Sequence, residues 1–338
     1  MKSKITALGH YEPTNIMTNE KLWEIYEWYH TINPDKYPSW AKIIEKSNRV
    51  WIKERRWSEN ENSLDLAYKS VENLKKKYWD KVIDWVDWIY VWSLTAPAFF
   101  PTIAPQLAQQ LWIHKVEAFD VMNACPSFLN GMMAADRAIR CWDLSKVLVV
   151  WTDVMSWMVK DFNYKTGILF WDGAWAVILE PTNNEYGIQG SQSLNFSQSP
   201  ECLLFRTQFF NNQNDNSKEI FNIDWPSVYE MWVDLTTNMI LDYCKKKWIN
   251  IHDFKWIIPH QANERMLNKI SDNIGINYDI MIKNLSTNGN TAAASIPLAM
   301  SQFSDKFQTW DRILLISFWA WFSLALVDLI WEEKKSIH

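Results

Sequence analysis

Residues 312–328 read RILLISFWAWFSLALVD, two apolar runs around the short link 318–321. Apolar runs of this length, bounded by charged residues, are typical of buried β-strands. An earlier stretch at residues 167–180, GILFWDGAWAVILE, shows the same pattern and predicts two strands joined by a tight turn at WDGAW. Two halves that end on the same strand pair indicate an internal duplication.

Outward from these pairs, helical and strand-like segments alternate, which predicts an α/β fold. Strands are expected at 84–93, 146–153 and 255–258, and helices at 130–141, at 225–247, after His260 and from Thr291, with a loop at 285–290. The segment 182–215 is rich in Asn, Gln and Ser and is interpreted as the connection between halves. We therefore expect two domains, residues 1–181 and 182–338.

Composition excludes several classes of protein. The 34 basic and 39 acidic residues give a net charge of −5, which argues against binding to nucleic acid. The first residues, MKSKITALGHYEP, lack the apolar core of a secretory signal, so a cytoplasmic location is expected. The longest apolar run, 313–327, is too short for membrane insertion. The four cysteines show no C-x-x-C spacing, which favours reduced thiols without a metal.

Cys125 lies in FDVMNACPSFLNGM, between a strand-like run and a helical one. A thiol at a helix amino terminus lies near unpaired N–H groups, which should lower its pKa and make it a nucleophile. Pro126 suits the first helical position and supports this junction. The alternative is that Cys125 is a small buried hydrophobic residue.

Two further polar residues follow predicted strands or loops in the second half. His260, in WIIPHQANERM, comes directly after an apolar strand, where sites in α/β sheets assemble. Asn290, in STNGNTAAASIPLAM, precedes a helix. Taken alone, His260 could be a structural hydrogen-bonding residue and Asn290 a turn or helix-start residue.

Five strings together carry a resemblance to a known family. In chain order they are ACPSFLNGM, GILFWDGAWAVIL, IIPHQANERM, NGNTAAASIPLAM and LLISFWAWFSLAL. In order and separation they resemble β-ketoacyl-acyl-carrier-protein synthase III, the initiating condensing enzyme of the thiolase superfamily, over about residues 50–328. The resemblance implies a thiolase-like, duplicated five-layer αβαβα fold, with a mixed five-stranded sheet in each half, and a homodimer.

The resemblance also implies the chemistry. Cys125 would take an acyl group from acyl-CoA, and malonyl-acyl carrier protein would lose CO2 to give the carbanion that attacks it. His260 and Asn290 would donate hydrogen bonds to the thioester oxygen as negative charge develops. The backbone N–H groups of Cys125 and Ala320 would form the oxyanion hole. No bound cofactor or metal is implied, since coenzyme A thioester is a substrate.

Other positions match the family's substrate contacts. Phe100 matches the aromatic residue that a partner subunit contributes to the acyl pocket, and a core Phe is its alternative. Asn263 and Arg265 match positions along the pantetheine tunnel and its mouth, and Arg49 matches a residue at the coenzyme A adenine. Because carrier protein and enzyme are both acidic, we expect a local basic patch at Arg265 and Lys269.

The composition is unusual in one respect, with 8 Gly and 23 Trp residues. Average usage near 7% would give about 24 glycines in a chain of this length. Tryptophan stands where the family carries glycine at Trp51, Trp92, Trp112, Trp142, Trp151, Trp171, Trp175, Trp248, Trp310, Trp319 and Trp321. We interpret these as glycines encoded by UGA, whereas Trp40 and Trp256 are candidates for true tryptophan. The alternative is a protein that is truly rich in tryptophan.

Three other functions are compatible with parts of the pattern. Related condensing enzymes that join two long acyl chains, or make secondary metabolites, share similar strings. Cys, His and Asn in this chain order also describe papain-like cysteine hydrolases, but the papain signature around the cysteine is missing. A non-catalytic protein that keeps only the scaffold is the third alternative.

Overall fold

The computed structural model describes residues 1–35, 52–159, 168–196, 203–205, 221–223, 225–319 and 323–333. Its strands are β1 Lys2–Tyr11, β2 Ile16–Thr18, β3 Glu54–Arg56, β4 Trp88–Trp92, β5 Glu117–Asp120, β6 Val147–Asp153, β7 Gly173–Thr182, β8 Gly187–Asn195, β9 Leu203–Phe205, β10 Phe221–Ile223, β11 Trp256–Pro259, β12 Arg312–Trp319 and β13 Ser323–Ile330. Its α-helices are α1 Asn19–Ile32, α2 Ser63–Tyr78, α3 Ile103–Gln110, α4 Ser127–Arg140, α5 Met155–Val159, α6 Trp225–Lys247, α7 Glu264–Ile274, α8 Leu285–Asn288 and α9 Ser295–Gln302.

The two main sheets share one topology. The first has the order β1-β7-β6-β4-β5, and the second has the order β11-β12-β13-β8. In the first sheet β4 and β6 are parallel, while β6–β7 and β7–β1 are antiparallel. In the second sheet β11 and β12 are parallel, while β12–β13 and β13–β8 are antiparallel. The same order and directions recur, as a duplication predicts, and β5 has no counterpart among the described residues.

Strand alternation builds five layers. Val149, Leu315 and Val327 belong to one apolar cluster that lies between the sheets with α4 and α9. Their neighbours point the other way: Val150 packs with residues of α2 and α3, and Leu314 packs with residues of α6 and α7. The order is therefore α2/α3, first sheet, α4/α9, second sheet, α6/α7, which confirms the duplicated αβαβα fold.

Several local predictions differ from the structure. Of the two strands expected in 167–180, only β7 forms in the described part of the chain. It pairs with β6 over residues 173–179 and with β1 over residues 174–182. Gly167 lies outside the described residues. The polar segment 182–215 contains β8, which pairs with β13. The loop 285–290 contains α8. In the second sheet, four strands rather than five lie within the described ranges. The division at residues 181–182 remains a prediction.

Tryptophan occupies backbone positions that normally require glycine. Three helices, α3, α4 and α6, end on a tryptophan in the left-handed conformation, at Trp112, Trp142 and Trp248 with φ of 58°, 66° and 56°. After α4, the Trp142 N–H donates to the Ile139 carbonyl and the Asp143 N–H to the Ala138 carbonyl. This is the Schellman motif, in which glycine is usual.

A fourth helix shows the same motif with its normal residue. Helix α7 ends on Gly275, with φ of 71°, and the Ile276 N–H donates to the Ser271 carbonyl. Two more tryptophans, Trp85 and Trp310, have positive φ outside helix ends. A side chain in this conformation costs about 1–2 kcal/mol, because Cβ approaches the following carbonyl oxygen.

Buried tryptophans show a different anomaly. Trp92, Trp151 and Trp175 lie side by side on neighbouring strands, with adjacent ring centroids 5.6 and 6.1 Å apart. A buried indole N–H normally finds an acceptor. Within the described ranges, seven buried indole nitrogens have none: those of Trp23, Trp88, Trp92, Trp151, Trp171, Trp175 and Trp232. By contrast, the Trp57 indole donates to the Phe170 carbonyl and the Trp256 indole to Asp311.

Replacing Trp142 with glycine should raise the free energy of unfolding by about 1 kcal/mol, because glycine adopts positive φ without steric cost. The indole is 77% exposed, so little packing is lost. The matched control is Gly275→Ala at the equivalent position of α7, where an added Cβ meets no atom within 4 Å. In urea unfolding, the free energy of unfolding of Gly275→Ala should be lower than that of the parent by a similar amount. A Trp142→Gly protein no more stable than the parent would contradict the prediction.

Candidate active site

Cys125 lies where the chain turns from β5 into α4, as predicted. Ala124 has φ of 48°, the Ser127 N–H donates to the Ala124 carbonyl, and the Asn123 N–H donates to the Ser127 hydroxyl at 2.7 Å. These bonds form a tight turn that places Cys125 immediately before the first turn of α4. The side chain is buried in the layer between the two sheets.

The expected lowering of the Cys125 pKa is wrong for this site. Burial raises the pKa of the thiol well above its ordinary value, and the nearby Asp153 carboxylate raises it further. A backbone hydrogen bond at Cys125 itself opposes both effects but is weaker. The thiol is therefore protonated, because the free energy needed to remove the thiolate from water exceeds the stabilisation that the amino terminus of the helix provides.

Asp153, which the sequence did not suggest, ends β6 and is fully buried. One carboxylate oxygen accepts from the Ser93 hydroxyl, the Leu94 N–H, and both the N–H and hydroxyl of Thr95, at 2.7–3.0 Å. The other oxygen has no hydrogen-bond partner within the described ranges. Burial raises the pKa of Asp153 to about 7. The residue fixes the segment after β4 against the end of β6.

His260 follows the last residue of β11. The backbone N–H of His260 donates to the Ile316 carbonyl at 2.8 Å, which continues the parallel pairing of β11 with β12. The ring Nδ1 lies 2.7 Å from the Ser295 hydroxyl, and the ring meets Phe318 edge to face with centroids 5.3 Å apart. Burial lowers the pKa of His260 to about 3, so the imidazole is neutral.

Asn290 is buried between α8 and the 3-10 turn Ala292–Ala294. Its N–H donates to the Leu169 carbonyl at 2.8 Å, and its side-chain oxygen accepts from the Ala292 N–H at 2.9 Å. Gly289, with φ of 61°, allows this approach, because an added Cβ would lie 3.0 Å from the Leu169 oxygen. Because the side-chain oxygen already accepts a hydrogen bond, the side-chain NH2 group of Asn290 is the part that can donate a hydrogen bond to a substrate.

The turn Ala292–Ala294 contacts two of the three predicted catalytic residues and shares an apolar cluster with the third. The Ala292 backbone hydrogen-bonds both the Asn290 amide and the His260 ring. Ala292, Ala293 and Ala294 belong to the same buried cluster as Cys125. The nucleophile comes from the first half of the chain and the two hydrogen-bond donors from the second.

The remaining predicted residues lie farther out or outside the described ranges. Phe100 is 86% exposed. Asn263 caps α7, since its side chain accepts from the Arg265 N–H, and Arg265 itself is exposed. Arg49 and Ala320 fall outside the described residues.

Sequence reasoning missed two further buried residues beside His260. Gln261 donates to the Pro259 and Ile282 carbonyls and accepts from the Asn284 N–H, which ties the end of β11 to the loop before α8. Ser295 is the first residue of α9 and contacts the His260 ring. In the sequence, Ser295 is marked only as a polar residue that directly follows three alanines.

Comparisons with known proteins identify similar proteins over most of the chain. The family model "3-Oxoacyl-[acyl-carrier-protein (ACP)] synthase III" matches residues 119–196, and the model of its C terminal part matches residues 244–327. The β-ketoacyl-[acyl-carrier-protein] synthase III 2 of Staphylococcus epidermidis is 31% identical over 342 residues, covering 97% of this chain and 98% of its own. The β-ketoacyl-[acyl-carrier-protein] synthase III of Acholeplasma laidlawii is 29% identical over 324 residues, covering 93% and 94%.

A solved structure is also similar. The β-ketoacyl-[acyl carrier protein] synthase III of Thermus thermophilus superposes with a TM-score of 0.84 at 27% identity, covering 97% of this chain and 99% of its own. Within the described residues, none of the helices is long and apolar enough to cross a membrane. The same residues contain no group of three or more His, Cys, Asp or Glu side chains that could hold a metal ion.

The buried neutral His260 should make stability depend on pH. The pKa of His260 is about 3 in the folded protein and has its ordinary value of 6.5 in the unfolded chain. The contribution of His260 to the free energy of unfolding is therefore complete above pH 6.5 and declines as the pH falls toward 3. Between pH 7.5 and pH 5, protonation of His260 in the unfolded chain should lower the free energy of unfolding by about 2 kcal/mol. Urea unfolding of the parent and of His260→Asn at both pH values measures it.

In His260→Asn this loss should disappear, while His252→Asn, at an exposed histidine, should behave as the parent. Asp153, whose folded pKa is raised to about 7, acts in the opposite direction, since it stabilises the fold as the pH falls. That contribution is present in every variant and cancels in the comparison. Equal pH dependence in the parent and His260→Asn would show that the imidazole is not buried in neutral form.

Proposed function

This chain belongs to the β-ketoacyl-[acyl-carrier-protein] synthase III family, and we propose that Cys125, His260 and Asn290 carry its reaction. It is a condensing enzyme that initiates fatty acid synthesis. The observation that supports the residue assignment is the turn Ala292–Ala294, which binds the imidazole and the carboxamide and packs in the same cluster as the thiol. Acyl-CoA and malonyl-acyl carrier protein are the substrates.

In the first step, the Cys125 sulfur attacks the thioester carbonyl of acyl-CoA. A bond forms between the sulfur and the acyl carbon, the bond to the coenzyme A sulfur breaks, and the thiol proton ends on the released coenzyme A. Because burial raises the pKa of the thiol, the resting Cys125 is protonated and must lose this proton to form the new bond. The backbone N–H groups of Cys125 and Ala320 would stabilise the oxyanion.

In the second step, the malonyl carbon–carboxylate bond breaks and CO2 leaves. The resulting enolate carbon attacks the acyl group, and the Cys125 thiolate departs. A neutral imidazole N–H from His260 and the Asn290 NH2 group would donate to the thioester oxygen as it gains negative charge. Both donors are held by backbone contacts before the substrate arrives, so little reorganisation is needed.

These roles predict that the two steps can be separated. After incubation with acetyl-CoA, the intact mass of Cys125→Ala should show no acylation. His260→Ala and Asn290→Ala should still be acylated, but condensation with malonyl carrier should fall by about 100-fold or more. The control is Cys141→Ala at an exposed cysteine, which should be acylated and condense normally. Acylation lost equally in all three site variants would contradict the division of roles.

The alternatives are not favoured, because the relatives are named synthase III. Parallel assays test the alternative in which the enzyme joins two long acyl chains. Acetyl-CoA with malonyl carrier should give product, whereas long-chain acyl-CoA alone should give none.

We propose a homodimer formed through the outer edge of the first sheet. Within the described ranges β5 pairs only with β4, so its other edge is open to a second copy. Phe100, between β4 and α3, is 86% exposed, and Met122, just after β5, is 74% exposed. An exposed Phe100 fits a side chain that completes the acyl pocket of the partner.

Phe100→Asp should therefore weaken the dimer, because it places a charge in the apolar contact. Sedimentation velocity over a range of concentrations measures the effect. Leu241→Asp, at an exposed apolar residue of α6, is the control and should not change the sedimentation. A monomeric parent chain would remove the basis for this proposal.

A carrier-docking surface is proposed on α7. Arg265 and Lys269 are exposed and four residues apart, so they lie on one face of the helix that begins just after His260. Reversing both charges with Arg265→Glu and Lys269→Glu should raise KM for malonyl carrier and leave acylation by acetyl-CoA unchanged. Lys245→Glu with Lys246→Glu, at the end of α6, is the charge-matched control. An unchanged KM would place docking elsewhere.

We also infer that tryptophan stands for UGA-encoded glycine at Trp85, Trp112, Trp142, Trp248 and Trp310, where φ is positive, and at the buried positions of the Trp92, Trp151 and Trp175 stack. The support is the motif shared with Gly275 and the indole nitrogens without acceptors. Trp57 and Trp256, whose indoles donate hydrogen bonds, would be true tryptophans.

Peptide masses from the protein made in its own organism test this inference. We expect glycine at the first eight positions and tryptophan at Trp57 and Trp256. Tryptophan found at Trp112, Trp142 and Trp248, or UGG codons there, would refute the recoding.

A further inference from the structure

Ser295 occupies an unusual position beside the site. It is the first residue of α9 and is fully buried. Its hydroxyl oxygen lies 2.7 Å from His260 Nδ1 and 3.2 Å from the Gln261 backbone nitrogen. Within the described ranges no other hydrogen-bond partner lies within reach of this hydroxyl.

The chemistry of these two contacts fixes the direction of each bond. The Gln261 N–H can only donate, so the Ser295 oxygen accepts from it. The hydroxyl's own proton then has one available acceptor, His260 Nδ1. A neutral imidazole carries one proton, which is therefore on Nε2. With the proton on Nδ1 instead, the buried Ser295 hydroxyl would have no acceptor, which is costly.

We propose that Ser295 is a positioning residue that holds His260 in the Nε2–H tautomer. The catalytic meaning of this tautomer rests on the proposed function, in which His260 donates a hydrogen bond to the substrate oxygen. Nδ1 faces Ser295, so only Nε2 remains to serve as that donor. In the opposite tautomer, Nδ1–H would face the Ser295 hydroxyl, and Nε2 would have no proton to donate.

The tautomer can be measured directly on the full chain. In protein with 15N-labelled histidine, the His260 ring should show a protonated Nε2 and an unprotonated, hydrogen-bonded Nδ1, assigned by loss of the signals in His260→Asn. Ser295→Ala should give a mixture of both tautomers, and Ser295→Thr, which keeps the hydroxyl, should restore the parent pattern. A proton on Nδ1 in the parent chain would overturn the proposal, whether or not any variant folds.

Kinetics supply a second readout. Ser295→Ala should acylate Cys125 at the parent rate, with unchanged KM for acyl-CoA, and lose about ten-fold or more in condensation, with partial recovery in Ser295→Thr. The matched control is Ser301→Ala, which removes a second hydroxyl of α9 that lies 2.8 Å from an imidazole, that of His10 in β1. This control should condense at the parent rate.

The outcomes separate this inference from the proposed function. If Ser295→Ala keeps both the parent tautomer and the parent condensation rate, Ser295 has no positioning role. If His260→Ala itself condenses normally, the role proposed for His260 fails even when the Nε2–H tautomer is present. A fall in condensation equal for Ser295→Ala and Ser301→Ala would indicate a general effect on α9 and would also overturn the proposal.

Discussion

Exclusion of water from the layer between the two sheets governs the chemistry of this site. The Cys125 thiol lies in that layer, and the His260 imidazole and the Asn290 carboxamide are also buried. Burial keeps the thiol protonated and the imidazole neutral, because a charged form would lose its hydration without full compensation. Each polar group must then be satisfied by neighbouring backbone or side-chain atoms, and those partners fix its orientation.

Much of the fold followed from apolar patterns in the sequence. Strand β6 and helix α6 begin and end within a residue of the prediction, since each is a strongly patterned segment between clear breaks. Strand β7 was harder, because its length is set by pairing with β1, more than 160 residues earlier. Strand β8 was missed because its residues are polar, and its partner β13 supplies the apolar side of the pair.

The residues of the candidate site could be proposed from the sequence, but their electrostatics could not. Cys125, His260 and Asn290 stood out because each follows or precedes a recognisable element. The rise of the Cys125 pKa depends on burial and on Asp153, which approaches from another strand. The partner of His260, Ser295, is separated from it by 35 residues and only meets it once α9 packs beside β11. Neither relation leaves a pattern in the linear sequence.

The shared topology of the two sheets has a consequence for how this enzyme can vary. In the proposed reaction, one copy of the repeated unit would supply the sulfur that becomes acylated, and the other would supply the groups that stabilise the enolate. In this assignment neither copy alone carries the whole reaction. After fusion, each copy could specialise for its own step. Because the oxyanion hole proposed for the first step also takes one N–H from each half, a displacement of one sheet against the other would disturb both steps.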